Sequence, residues 1–133
     1  IPMIKIPGGT GKIVGKYANG KTSVEFEFAE SLLENTNKTY YANGNKYVEG
    51  GRLQGNRHGS FKVYHPNGNL WEDENYVLGN LNGNCKYYHA NGKLQREENY
   101  YDDNLHGETK LYDENVQLKQ SRTYHYGILT SVK

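Results

Sequence analysis

The chain has one cysteine, three prolines and no long apolar run, and each shortage closes off a class of protein. Cys85 stands alone, so it can form no internal disulfide and has no second cysteine beside it for a zinc site. No stretch approaches the roughly 20 apolar residues that a membrane-crossing helix needs. Aliphatic side chains are scarce as well. The hydrophobic fraction is 35% and includes 13 Tyr, so a thick two-layer core is not expected across 133 residues. Charge of one sign is missing too: 16 Lys and Arg meet 15 Asp and Glu, and a net +1 gives no broad cationic field for phosphate backbones. The start, Ile1-Pro2-Met3-Ile4-Lys5, carries neither an initiator Met nor signal-peptide anatomy, as expected of a processed or trimmed chain. Localisation stays open, with the cytoplasm slightly ahead of the cell envelope or secretion.

What the sequence does have is glycine, 16 in all, set in a repeat. Asn-Gly occurs at 19–20, 43–44, 67–68 and 91–92, with Asn115-Val116 next in the series, each step being 24 residues. The same step relates Tyr40, Tyr64, Tyr88 and Tyr112, and also Leu70, Leu94 and Leu118. Five registers follow, 11–34, 35–58, 59–82, 83–106 and 107–130, between a lead-in 1–10 and a tail 131–133. The terminal copies are degenerate, as capping repeats often are.

Asn-Gly between short alternating segments predicts a hairpin with a two-residue type I′ turn, since both residues tolerate positive φ. A second turn at Gly55 to Gly59, Gly79 to Gly83 and Asp103 to Gly107 links one hairpin to the next. The expected fold is therefore all-β: an elongated single-sheet antiparallel meander of tandem β-hairpins, ten strands long. Register through each Asn-Gly turn places Lys62 opposite Asp73, Lys86 opposite Glu97 and Lys38 opposite Glu49, with Tyr64 opposite Trp71 and Tyr40 opposite Tyr47. Opposite-charge pairs recurring at one position penalise slipped pairings. Alternation assigns Phe61, Val63, Leu70 and Tyr76 to the other, packed face, followed by Tyr87, Leu94, Tyr100, Leu111, Leu118 and Tyr124.

The stretch His58 to Leu70, with its Gly59, Tyr64 and Asn67-Gly68, and the copy Gly83 to Leu94 resemble the bacterial variant of the MORN repeat. Proteins of that kind are often classed with the YwqK antitoxin component of toxin–antitoxin modules, so the resemblance implies a repeat scaffold and toxin neutralisation as one role. Other MORN-repeat proteins are associated with membrane lipids, cortical attachment and dimerisation. Departures from the pattern gather at the ends, where Gly11 to Glu34 lacks the usual paired aromatic and Val116 replaces a turn glycine.

Candidate chemistry is thin. His65 and His89 occupy equivalent positions about two strands apart, roughly 9.6 Å, too far for one ion to bridge. His58 and His106 read as polar turn residues, and Cys85, at the Phe61 position, as a small buried hydrophobe. Gly8-Gly9-Thr10-Gly11-Lys12 only mimics a phosphate loop, because Ile13 stands where Ser or Thr is required. Glu72-Asp73-Glu74 and Glu97-Glu98 alternate between faces and are read as solvated or cross-strand charge. Asn37-Lys38-Thr39 is a formal glycosylation sequon with meaning only in a eukaryotic secretory setting. An enzyme would need one unrepeated constellation of acid, base and nucleophile, and none is visible; no metal or cofactor is expected. The aromatic column Tyr40, Tyr64, Tyr88 and Tyr112, with Tyr47 and Trp71 beside it, is the expected partner-binding surface. A structural tyrosine ladder is the simpler account, but a single-layer sheet leaves large aromatics exposed, and these are common interface anchors. The expected function is a non-catalytic scaffold for a protein partner such as a toxin, with an envelope or surface attachment module binding lipid or host components as the alternative. Homodimers through terminal edge strands are a further expectation.

Overall fold

The computed structural model describes residues 11–28 and 34–133. The lead-in 1–10, with Gly8-Gly9-Thr10 of the loop-like stretch, and residues 29–33 of the first register lie outside the described residues. The described chain is all-β. Its strands are β1 (Gly11–Lys16), β2 (Thr22–Phe28), β3 (Glu34–Tyr40), β4 (Lys46–Leu53), β5 (Asn56–Tyr64), β6 (Leu70–Val77), β7 (Asn80–Leu81), β8 (Gly83–Tyr88), β9 (Leu94–Tyr101), β10 (Asn104–Leu105), β11 (Gly107–Tyr112), β12 (Leu118–His125) and β13 (Ile128–Val132). All thirteen form one antiparallel sheet in chain order, with β7 added to β6 and β10 to β9. The count exceeds the ten expected for two reasons. β7 and β8 are two pieces of one strand against β6, broken near Asn82, and β10 and β11 are likewise two pieces against β9. β13 adds a final strand after the last hairpin.

The turns correct the sequence reading. At the Asn-Gly tips the glycines alone take positive φ, 86° at Gly20, 96° at Gly44, 93° at Gly68 and 87° at Gly92, while the asparagines do not. Gly44 N–H donates to Tyr41 O at 2.9 Å and Tyr41 N–H to Asn45 O at 2.8 Å, so the loop has three residues: a type I turn followed by a left-handed glycine. The type I′ geometry lies at the opposite edge of the sheet. There Gln54-Gly55, Leu78-Gly79, Asp102-Asp103 and Tyr126-Gly127 each have two consecutive positive φ values, joining Leu53 to Asn56, Val77 to Asn80, Tyr101 to Asn104 and His125 to Ile128.

The extra tip residue is absorbed by a bulge at the next pair. Tyr64 pairs with Leu70 and Tyr40 with Lys46, leaving Trp71 and Tyr47 as the surplus residues, so neither faces its tyrosine as expected. Beyond the bulge the anticipated register holds: Lys62 opposes Asp73, Lys86 opposes Glu97 and Lys38 opposes Glu49. Because directly paired residues share a face, Leu70, Leu94 and Leu118 belong with Tyr64, Tyr88 and Tyr112 rather than with Phe61.

The packed face is built around one column. Phe61, Cys85 and Thr109, each 24 residues apart, are 5%, 0% and 5% exposed. An open sheet buries them by laying long side chains flat across it. Tyr76 packs edge-on to Phe61 with ring centroids 5.8 Å apart, the Arg57 guanidinium lies 4.1 Å from the Phe61 ring, and that of Arg96 lies 3.9 Å from the ring of buried Tyr87. Glu74 joins them, accepting from Tyr76 OH at 3.1 Å and Tyr87 OH at 2.9 Å. One repeat on, Glu98 accepts from Arg96 Nε at 2.7 Å and from the Tyr100 hydroxyl. Burial pushes the Tyr87 and Tyr100 phenols well above their ordinary value, and the adjacent carboxylates push the same way. Two carboxylates are thus held among these rings by tyrosine hydroxyls and, at Glu98, by the Arg96 guanidinium.

Candidate docking surface

Along the Asn-Gly edge, each hairpin is tied to the next through side chains. Asn43 Oδ1 accepts the Asn45 N–H at 2.9 Å, and its Nδ2 donates to Pro66 O of the following hairpin at 2.9 Å. Asn67 does the same with Asn69 N–H at 2.9 Å and Ala90 O at 2.7 Å, and Asn19 with Lys21 N–H at 2.9 Å and Ala42 O at 3.0 Å. The repeated asparagine is therefore a connector between hairpins, a role that composition gives no sign of. On the opposite edge backbone bonds make the connection, Gly79 N–H to Arg57 O at 2.7 Å and Gly127 N–H to Leu105 O at 2.7 Å, joined at the step between them by Leu81 N–H donating to Asp103 Oδ1 at 2.6 Å. His58 and His106 serve these turns, each accepting through Nδ1 a backbone N–H at 3.2 Å, from Leu78 and Tyr126 respectively.

A second ladder beside the asparagines holds rings. Tyr17 OH donates to Tyr40 O, Tyr41 OH to Tyr64 O at 2.6 Å, and His65 Nε2 lies 3.3 Å from Tyr88 O. These are equivalent positions in three successive hairpins, each ring fastened to the next hairpin's backbone. The bulged residues lie on them. Tyr47 packs on Tyr41 with centroids 4.7 Å apart, and Trp71 stacks on His65 at 4.4 Å and 13°. Tyr47 and Trp71 remain 43% and 42% exposed.

The six residues expected to bind a partner therefore divide into two groups. Tyr40, Tyr64, Tyr88 and Tyr112 are half-buried, one per hairpin, paired with Lys46, Leu70, Leu94 and Leu118. Burial and the neighbouring Glu25 carboxylate raise the Tyr40 phenol, and Lys46 Nζ lies 5.8 Å from the Tyr64 ring. Tyr47 and Trp71 instead form exposed platforms with Tyr41 and His65, two residues the sequence reading did not place in the surface. Their inclusion was hidden because it depends on the bulge, which moves each surplus aromatic one position out of step.

The tyrosine row shares its face with a line of charge. Glu25, Lys38, Glu49, Lys62, Asp73, Lys86, Glu97 and Lys110 pair consecutively across eight strands with alternating sign. Lys46 joins it by donating to Glu49 at 2.9 Å, a bond that raises the lysine and lowers the glutamate from their ordinary values. Among the described residues, no three His, Cys, Asp or Glu side chains come together as a metal site. Cys85 is fully buried, and desolvation pushes its thiol up to about 11.

An open sheet of like hairpins, each bonded to the next at equivalent positions, defines a repeat scaffold whose surfaces extend with copy number. Two of its segments, residues 57–77 and 81–103, match the family described as MORN repeat variant. No curated protein matches the chain.

Proposed function

We propose that this chain is a non-catalytic scaffold that binds a protein partner along the aromatic rim of its Asn-Gly edge. The observation that supports this most is the pair of exposed platforms, Tyr47 on Tyr41 and Trp71 on His65, held in place by hydrogen bonds to the next hairpin. Large rings kept exposed and already ordered lose little entropy on association, the property of interface anchors. Tyr40, Tyr64, Tyr88 and Tyr112 would support the rim from the adjoining face. The resemblance to YwqK-type repeats makes a toxin the first partner to test; an attachment role at a lipid surface is the competing outcome.

The test is affinity capture with the intact chain and with the Tyr47→Ser/Trp71→Ser variant, combined with vesicle sedimentation. The reading expects a protein retained by the parent and lost by the variant, with circular dichroism unchanged. Retention of every captured protein by the variant, or binding to vesicles alone, overturns it.

A further inference from the structure

From the spacing and charge of this rim we infer the kind of segment it takes: an acidic, proline-rich stretch in the polyproline II conformation, lying across the strands. The inference rests on the docking reading above and narrows it.

Direction decides first. The rings at positions 17, 41 and 65 recur once per hairpin, so the rim runs perpendicular to the strands. A peptide lying along it cannot add to the sheet as a further strand, because its backbone would cross the strands rather than parallel an edge. It must leave its own N–H and C=O groups to water or to side chains. Polyproline II does this, having no internal hydrogen bonds and a fully solvated backbone.

Spacing decides next. Successive platforms are two strands apart, about 9.6 Å. Polyproline II repeats a side-chain position every three residues, about 9.3 Å. A helix returns to the same face after seven residues, about 10.5 Å. Over the three steps between equivalent ring positions, from Tyr17 through Tyr41 and His65 to His89, polyproline II drifts by about 1 Å from the rings, whereas a helix drifts by about 3 Å, most of a ring width. Only the former can set residue after residue between equivalent rings. Tyr47 and Trp71 also present a hydroxyl and an indole N–H, donors suited to the free carbonyls of such a peptide.

Charge supplies the last part. The tip segments 16–23, 40–47, 64–71 and 88–95 contain four lysines, Lys16, Lys21, Lys46 and Lys93, and no Asp or Glu. The fifth tip, 112–119, carries Asp113 and Glu114 beside Lys119, and Lys46 is already paired with Glu49, so the excess of positive charge is confined to the first four tips, where it favours acidic residues between or beside the prolines.

The experiment titrates the intact chain with a synthetic peptide of repeated Pro-Pro-Glu triplets, followed by calorimetry and by the emission of Trp71, the one tryptophan. Saturable binding with an altered Trp71 spectrum is expected, weakened at least about ten-fold by Tyr47→Ser or by Trp71→Ser. Repeated Pro-Pro-Lys, which opposes the charge, and repeated Gly-Gly-Glu, which keeps the charge without the conformation, should each bind at least about ten-fold more weakly. Equal binding of the Gly-Gly-Glu peptide overturns the inference, as does no saturable binding of the Pro-Pro-Glu peptide. Perturbation of Trp71 by a thymidine oligomer or phosphatidylserine vesicles, with none by the peptide, does so as well. If the rim still captures a protein while all three peptides fail, the docking reading survives and this narrower one falls; if the Tyr47→Ser/Trp71→Ser variant loses no partner either, both fall.

Discussion

Gly50 sits directly across the β4–β5 ladder from Phe61, and the Phe61 ring fills the volume that a side chain at position 50 would need. One repeat later the equivalent position is Glu74, on the other side of the same phenylalanine. Phe61 is thus flanked by a glycine that makes room for its ring and a glutamate that turns instead toward the hydroxyls of Tyr76 and Tyr87. Gly50→Ala should destabilise by about 1–3 kcal/mol through overpacking. Adding Phe61→Leu should recover part of that loss in urea denaturation. Strict additivity of the two substitutions would show that the contact is not what constrains position 50.

The Glu74 carboxylate is 9% exposed and accepts from two tyrosines. Glu74→Ala leaves the buried Tyr87 hydroxyl without its acceptor, while Tyr76 OH keeps only the bond it accepts from Arg57, and should cost about 1–3 kcal/mol, with Glu74→Gln costing less because an acceptor remains. Equilibrium unfolding of the two variants checks the order. A Glu74→Ala protein as stable as its parent would show that water serves these hydroxyls equally well.

Asn67 works in two directions, toward its own turn and toward the following hairpin. Asn67→Asp keeps the acceptor for Asn69 N–H but loses the donor to Ala90 O, so it should lose about 0.5–1.5 kcal/mol. Asn67→Ala loses both bonds and should be less stable still. Amide exchange at the next tip, Ala90 to Lys93, should speed up in both variants; protection unchanged there would mean that the asparagine serves its own turn alone.

The Cys85 thiol should resist alkylation in the native protein and react only on unfolding, since it is fully buried and raised to about 11 by desolvation. The sign of the linked pH effect follows. The folded state holds the proton to higher pH than the unfolded chain does, so this contribution is intact below the ordinary thiol range. It declines as pH rises from there toward about 11. Burial of Tyr87 and Tyr100 acts with the same sign. Urea midpoints should therefore fall on the alkaline side, and less steeply in Cys85→Ala. Identical alkaline profiles for the two proteins would remove Cys85 from the account.

How much of this was readable beforehand differs from residue to residue. The pairing of Lys62 with Asp73 could be taken from the sequence because any closed hairpin that conserves residue count around Asn67-Gly68 brings those charges together. The bulge only borrows one residue between tip and ladder, and the count is restored at Val63 and Glu72. Inside that short borrowed stretch the reading failed. Leu70 moved to the tyrosine face, and Trp71 came to rest on His65 rather than opposite Tyr64. Asn-Gly is compatible with both turn types, and at the Asn43 and Asn67 tips the three-residue form also lets the asparagine amide bond outward, to a carbonyl of the next hairpin.

The sequence by itself determined that a hairpin recurs every 24 residues and that opposite charges meet within it, because periodicity and charge order are properties of a one-dimensional string. Only the tertiary structure decided which aromatic rings stand exposed on the rim, since their facing depends on one extra residue per tip. It also decided what surrounds Glu74, Arg57 and Cys85, since Tyr87 reaches Glu74, Tyr76 reaches Arg57 and the flanking strands cover Cys85 only through lateral packing.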